Sequence, residues 1–151
     1  MRPTDGPADA PVEELLRVDR LTILVDGPGG PAPAVEEVSF AIRRGETLCL
    51  VGESGSGKTL TALAILRLLP PATRIAGGRV LFQGRDLVAL DERDLRAVRG
   101  AGIGIVFQEP AAALSPVFTI GDQIAETLRA HGRARSWREA RGQAVARLEA
   151  A

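Results

Sequence analysis

Between a short apolar run and a longer helix-forming one, the chain carries Gly52-Glu53-Ser54-Gly55-Ser56-Gly57-Lys58-Thr59. This string restricts the fold more than any other feature, because it satisfies G-x-x-x-x-G-K-[ST] at every fixed position. The run before it, Thr47-Leu48-Cys49-Leu50-Val51, predicts a strand buried on both faces of a sheet, with Cys49 as plain core. The run after it, Thr59 to Leu69, predicts a mostly apolar helix that Pro70-Pro71 ends. Glycines let the backbone curl so that successive N–H groups point into one concavity. The helix start adds unpaired N–H groups and the positive end of its dipole, a setting that favours an anion. Ser54 to Thr59 present those amides, Lys58 can reach β- and γ-phosphates, and the Thr59 hydroxyl is a hard oxygen ligand suited to magnesium. The expectation is a nucleoside triphosphate held with Mg2+.

The cation usage sharpens this. Among 18 arginines there is one lysine, Lys58, inside the loop. A compact ammonium on a flexible stem suits a phosphate loop, and a broad planar guanidinium is a poor substitute. Elsewhere the charges cancel at 19 basic and 19 acidic residues, which gives no support to general nucleic-acid binding or polybasic membrane attachment. A single cysteine excludes an intrachain disulfide framework and a cysteine-based zinc site, and fits a reducing cytoplasm. No apolar run approaches the roughly 20 residues that span a bilayer. Met1 to Ala10 is proline-rich and acidic and reads as no secretory signal, so a membrane role has to come through a partner.

Residues 1–14 read as a disordered tail. Leu15–Val18 and Leu21–Val25 read as short strands, followed by the turn Asp26-Gly27-Pro28-Gly29-Gly30-Pro31, and Val35, Val38, Phe40 and Ile42 suggest a strand with one partly buried face. Arg43 to Glu46 is a polar turn, Arg79–Phe82 a strand, Gln83 to Asp86 a turn, and Asp91–Arg99 a short helix before Gly100. Ile103–Phe107 reads as a second apolar strand, stopped at Gln108-Glu109-Pro110. Beyond Gly121, Asp122–Ala130 and Ser136–Ala151 read as helices, the second with Trp137, Ala140, Ala144 and Leu148 at helical spacing.

The flanks of the loop resemble the ATP-binding subunits of ABC transporters, and most closely the oligopeptide/dipeptide importer group. The resemblance runs from about Leu15 to the end. It is carried by Ala34-Val35-Glu36-Glu37-Val38-Ser39-Phe40 through Thr47, by the loop itself, and by Gly78-Arg79-Val80-Leu81-Phe82-Gln83-Gly84-Arg85-Asp86-Leu87. Ile105-Val106-Phe107-Gln108-Glu109-Pro110 resembles the family's Q-loop, and Leu114 to Ile124 is similar to the segment next to that loop in peptide importers. The resemblance implies an α/β fold, a P-loop NTPase of the ABC type with an antiparallel β subdomain. Residues 15–110 would form the nucleotide-binding core and 111–151 the beginning of a helical subdomain. It implies ATP and Mg2+ as cofactors, transmembrane permease subunits and a second ATP-binding subunit as partners, and a peripheral place on the cytoplasmic face of the membrane. It also implies that Gln108 approaches the magnesium and the attacking water, which an amide can do by ligating with its oxygen while its NH₂ orients a water.

Some family features are missing from this sequence. The position that stacks adenine on an aromatic falls near Val25, and no aromatic lies between Met1 and Phe40. L-S-G-G-Q is absent, and no aliphatic run ending in Asp-Glu occurs after residue 111. Ile23-Leu24-Val25-Asp26 is such a run only in outline and opens a turn. His131 precedes the place of the family's switch histidine and reads as a surface helix residue. The expectation is a truncated domain that binds nucleotide with little turnover on its own. A catalytically inactive fragment, or a nucleotide-binding module without a transport role, stays open beside it.

Overall fold

The computed structural model describes residues 14–109 and 113–150, which form two compact units, one up to Asp91 and one from Glu92 onward. Apart from Glu14, the expected tail lies outside the described residues.

The first unit is built on a four-stranded antiparallel sheet in the order β2-β1-β3-β4, with β1 at Glu14–Gly27, β2 at Gly30–Arg43, β3 at Thr73–Phe82 and β4 at Arg85–Asp86. The two short strands expected before the turn are one long strand. Leu16, Val18, Leu21 and Ile23 all bury along it, and the alternation survives because the chain bulges between Val18 and Leu21, where Arg20 takes φ 46°. Opposite the bulge stands Gly78. A Cβ there would lie 2.4 Å from the Arg20 carbonyl oxygen, so only glycine fits. The Asp26–Pro31 turn closes the β1–β2 hairpin as its composition requires, with Gly27 paired to Gly30 at φ 98°. One helix, α1 at Lys58–Ile65, packs on β1 and β2, burying Thr61 and Ala64.

Three expectations need correction here. Thr47–Val51 forms no strand: Leu48, Leu50 and Val51 are 38, 42 and 90% exposed, and Cys49 is exposed rather than core. A strand apolar on both faces is stable only between neighbours in a sheet covered on both sides, and no described strand pairs with this segment. Ile103–Phe107 fails similarly. Ile103 makes one bridge to Arg99, and Val106 is 88% exposed. The loop helix stops at Ile65, four residues short of Leu69. Arg67 turns left-handed at φ 50°, with its N–H on the Ala64 carbonyl, while its guanidinium is anchored on the Leu90 carbonyl.

In the second unit α2 spans Glu92–Val98, α3 Ile120–Ala130 and α4 Trp137–Glu149. Ala125, Leu128, Ala134, Ala140 and Ala144 form its apolar centre, where small side chains let α3 and α4 approach closely. Both helices start on capping hydroxyls. Thr119 Oγ1 accepts from the Asp122 N–H at 3.1 Å, and Ser136 Oγ from the Glu139 N–H at 3.2 Å. The Asp122 carboxylate in turn accepts from the Thr119 hydroxyl at 2.9 Å and from Arg141 Nε on α4 at 2.8 Å. These bonds, the Thr119 one foremost, hold its carboxyl below the usual aspartate value. Trp137 remains 46% exposed, its ring covered by the Arg129 guanidinium 5.1 Å from the centroid.

Candidate functional site

The loop from Gly52 to Thr59 enters α1 through Gly57, which is the helix N-cap in the left-handed region at φ 83°. Two facts make glycine obligatory there. A Cβ would lie 2.6 Å from Val35 Cγ2 and 2.7 Å from the Ala34 carbonyl oxygen, so the loop's last glycine is pressed onto strand β2. Gly55 shares the left-handed backbone at φ 84° but meets nothing within 4 Å. Gly57 therefore anchors the loop to the sheet, whereas Gly55 only bends it.

No side chain caps the start of α1, and the amides of Gly57, Lys58, Thr59 and Leu60 donate to no described residue. Thr61 N–H is the first to find a helical partner, the Gly57 carbonyl at 2.8 Å, and the Thr61 hydroxyl reinforces it at 2.9 Å. One loop amide is used internally, that of Ser56 to the Glu53 carbonyl at 3.2 Å. Gly55 to Leu60 line a small open cavity of about 150 Å³. N–H groups left without a partner at the positive end of a helix favour an anion.

The Lys58 ammonium stands beside it. It donates to the Gly52 carbonyl at 2.9 Å, the Glu53 carbonyl at 2.6 Å and Ser56 Oγ at 3.0 Å, which uses all three of its protons. The motif itself does not announce these partners, since Glu53 and Ser56 occupy its variable positions. Anchored on the loop's own oxygens, the charge stays next to the amides. The Thr59 hydroxyl, on the exposed first turn of α1, bonds to no described residue. Among the described residues no cluster of three His, Cys, Asp or Glu could hold a metal ion. A divalent cation here would take Thr59 as a protein ligand and draw the rest from phosphate oxygens and water, the habit of magnesium.

Gln108 belongs to the second unit, where it is exposed in a bend next to Glu109. His131 is no plain surface residue. It is the C-cap of α3, partly buried, and its imidazole lies against Gly100, where a Cβ would come within 2.6 Å of Nε2. Asp26, in the run that outlines an acidic magnesium motif, sits at the hairpin end and pairs with Arg74 at 2.6 Å.

A family model described as ABC transporter matches residues 35–150. The chain is 43% identical over 121 residues to the dipeptide transport ATP-binding protein DppD of Bacillus subtilis, covering 80% of this chain and 36% of that one. It is 45% identical over 121 residues to the oligopeptide transport ATP-binding protein OppD of the same organism, covering 80% and 34%. With the glutathione import ATP-binding protein GsiA of Salmonella choleraesuis it shares 44% over 142 residues, 90% of this chain and 23% of that one. The chain thus spans little more than a third, at most, of these relatives' lengths. Among solved structures, a dimeric bacterial ABC transporter cassette superposes with a TM-score of 0.76 at 27% identity, over 89% of this chain and 56% of the cassette.

Proposed function

The chain belongs to the ABC transporter family, and on that premise we propose that it is the phosphate-binding part of an ATP-binding subunit that couples ATP binding and hydrolysis to solute import, with peptides as the solute class. One observation carries this reading: the amides of Gly57 to Leu60 donate to no described residue, and these residues, Lys58 among them, line an open cavity at the start of α1. The peptide assignment is supported by the functions for which the relatives are named, dipeptide and oligopeptide transport among them.

In this reading Gly52, Gly55 and Gly57 shape the loop, and the backbone from Glu53 to Ser56 carries it around the phosphates. Lys58 exchanges its bonds to the loop oxygens for the β- and γ-oxygens, and Thr59 ligates magnesium. The metal, when bound, neutralises charge that builds on the phosphates during transfer. Residues 15–110 are the nucleotide-binding core and 111–151 the start of the helical subdomain. The working assembly includes permease subunits and a second ATP-binding subunit, and it places the chain peripherally on the cytoplasmic face of a membrane. No helix among the described residues is long and apolar enough to cross one. Because L-S-G-G-Q and a later Asp-Glu run are absent from this sequence, the chain alone binds ATP with little or no turnover.

The test is nucleotide titration of three purified chains. Lys58→Ala loses a charge-assisted phosphate contact, about 1.5–3 kcal/mol or roughly tenfold to a hundredfold in affinity. His131→Ala keeps the parent's affinity. If Lys58→Ala bound ATP like the parent, the site assignment would be wrong.

A further inference from the structure

The oxygens that hold the Lys58 ammonium differ in origin. The Gly52 carbonyl at 2.9 Å and the Glu53 carbonyl at 2.6 Å belong to the backbone, so any sequence that takes this curve supplies them. Ser56 Oγ at 3.0 Å belongs to a side chain at a variable position of the motif. Its place is set from two sides. The Ser56 N–H donates to the Glu53 carbonyl at 3.2 Å, which turns the residue back over the loop. Gly52 leaves the room it needs, since a Cβ there would lie 2.8 Å from Ser56 Oγ and 3.5 Å from Ser56 Cβ.

An ammonium has three protons, and these bonds use all of them. A phosphate oxygen therefore reaches Lys58 only as one of the bonds opens. The two carbonyls already keep the charge beside the start of α1. The hydroxyl adds little to that placement, but it adds one bond to break. We infer that Ser56 is a positioning residue whose hydroxyl restrains Lys58 on the loop and thereby lowers the affinity for polyphosphate. The inference rests on the phosphate-site reading above and adds a restraint internal to that site. The acceptor is a neutral hydroxyl on an exposed residue. Releasing it in advance is worth about threefold to tenfold in affinity, the scale of one modest hydrogen bond. Because Ser56 is exposed, deleting its hydroxyl strands no buried group, and Ser56→Ala keeps the fold.

The experiment is calorimetric titration of the full chain, of Ser56→Ala, of Lys58→Ala and of the double variant, with MgATP and with magnesium tripolyphosphate. Ser56→Ala should bind both ligands about threefold to tenfold more tightly than the parent, by a similar factor for each because the restraint acts at the phosphate end. On the Lys58→Ala background, removing the hydroxyl should change nothing, which is the coupling a double-mutant cycle isolates. Unchanged or weaker binding by Ser56→Ala overturns the inference and leaves phosphate binding standing. A gain of the same size in the absence of Lys58 also overturns it, because the hydroxyl would then act on the loop and not through the lysine. If neither ligand binds the parent, the phosphate-site reading falls and this inference falls with it.

Discussion

Replacing Gly57 by alanine tests whether the loop is anchored on the sheet. Two costs add at this position. A non-glycine residue in the left-handed region costs about 1–2 kcal/mol. The new methyl also lands 2.6 Å from Val35 Cγ2 and 2.7 Å from the Ala34 carbonyl oxygen. The second neighbour is backbone of a paired strand and cannot swing aside, so overpacking adds about 1–3 kcal/mol. The sum, about 2–5 kcal/mol, is a large part of the 5–15 kcal/mol typical of a domain. Gly55→Ala is the control. Its φ of 84° matches that of Gly57 at 83°, but its methyl meets open space, so only the first cost applies. Urea unfolding of the two variants, compared by linear extrapolation, should separate them by about 1–3 kcal/mol with equal m-values. Equal midpoints would refute the anchoring, and with it the placement of the amide row against β2.

Two further outcomes are expected, one in the helical unit and one at the exposed segment before the loop. The Asp122 carboxyl is held below its ordinary value of 3.8 by the Thr119 hydroxyl and by Arg141. Its stabilising effect on α3 is therefore complete above that value and is lost as pH falls through it and below. Circular dichroism should show a shallower acid-side loss of helix in Asp122→Asn than in the parent, and identical curves would contradict the link. Cys49 is exposed and should react with a thiol reagent in the folded chain about as fast as in urea; strong protection would mean that Thr47–Val51 is covered.

The sequence was most informative where a local rule suffices. The spacing of Gly52, Gly57, Lys58 and Thr59 located a loop whose amides are set by its own backbone and the helix it starts. Asp26 to Pro31 announced a turn because glycine and proline leave the chain few alternatives there, and the structure makes it the turn of the β1–β2 hairpin. The helices after Gly121 were legible too, and their starts were written in Thr119-x-x-Asp122 and Ser136-x-x-Glu139, a capping signal that the apolar spacing alone passed over. Elements that depend on lateral partners were not legible. Leu48, Leu50 and Val51 have the composition of a central strand, but strand formation needs neighbours, and none of the described strands supplies them. The early end of α1 goes with a left-handed Arg67 whose guanidinium bonds the Leu90 carbonyl, 23 residues away, a contact that no local pattern encodes. The contact of His131 with Gly100 is likewise tertiary.

The central claim is that the free amides at the start of α1, with the Lys58 ammonium, take a polyphosphate. Amide-resolved NMR of the chain during titration with magnesium nucleotide tests this most directly. The prediction is a saturable shift of the Gly57, Lys58, Thr59 and Leu60 amide signals with one common dissociation constant, abolished or weakened at least tenfold in Lys58→Ala. Signals from these four residues that stay in place while nucleotide binds, or a shift equally strong without the lysine, would contradict it.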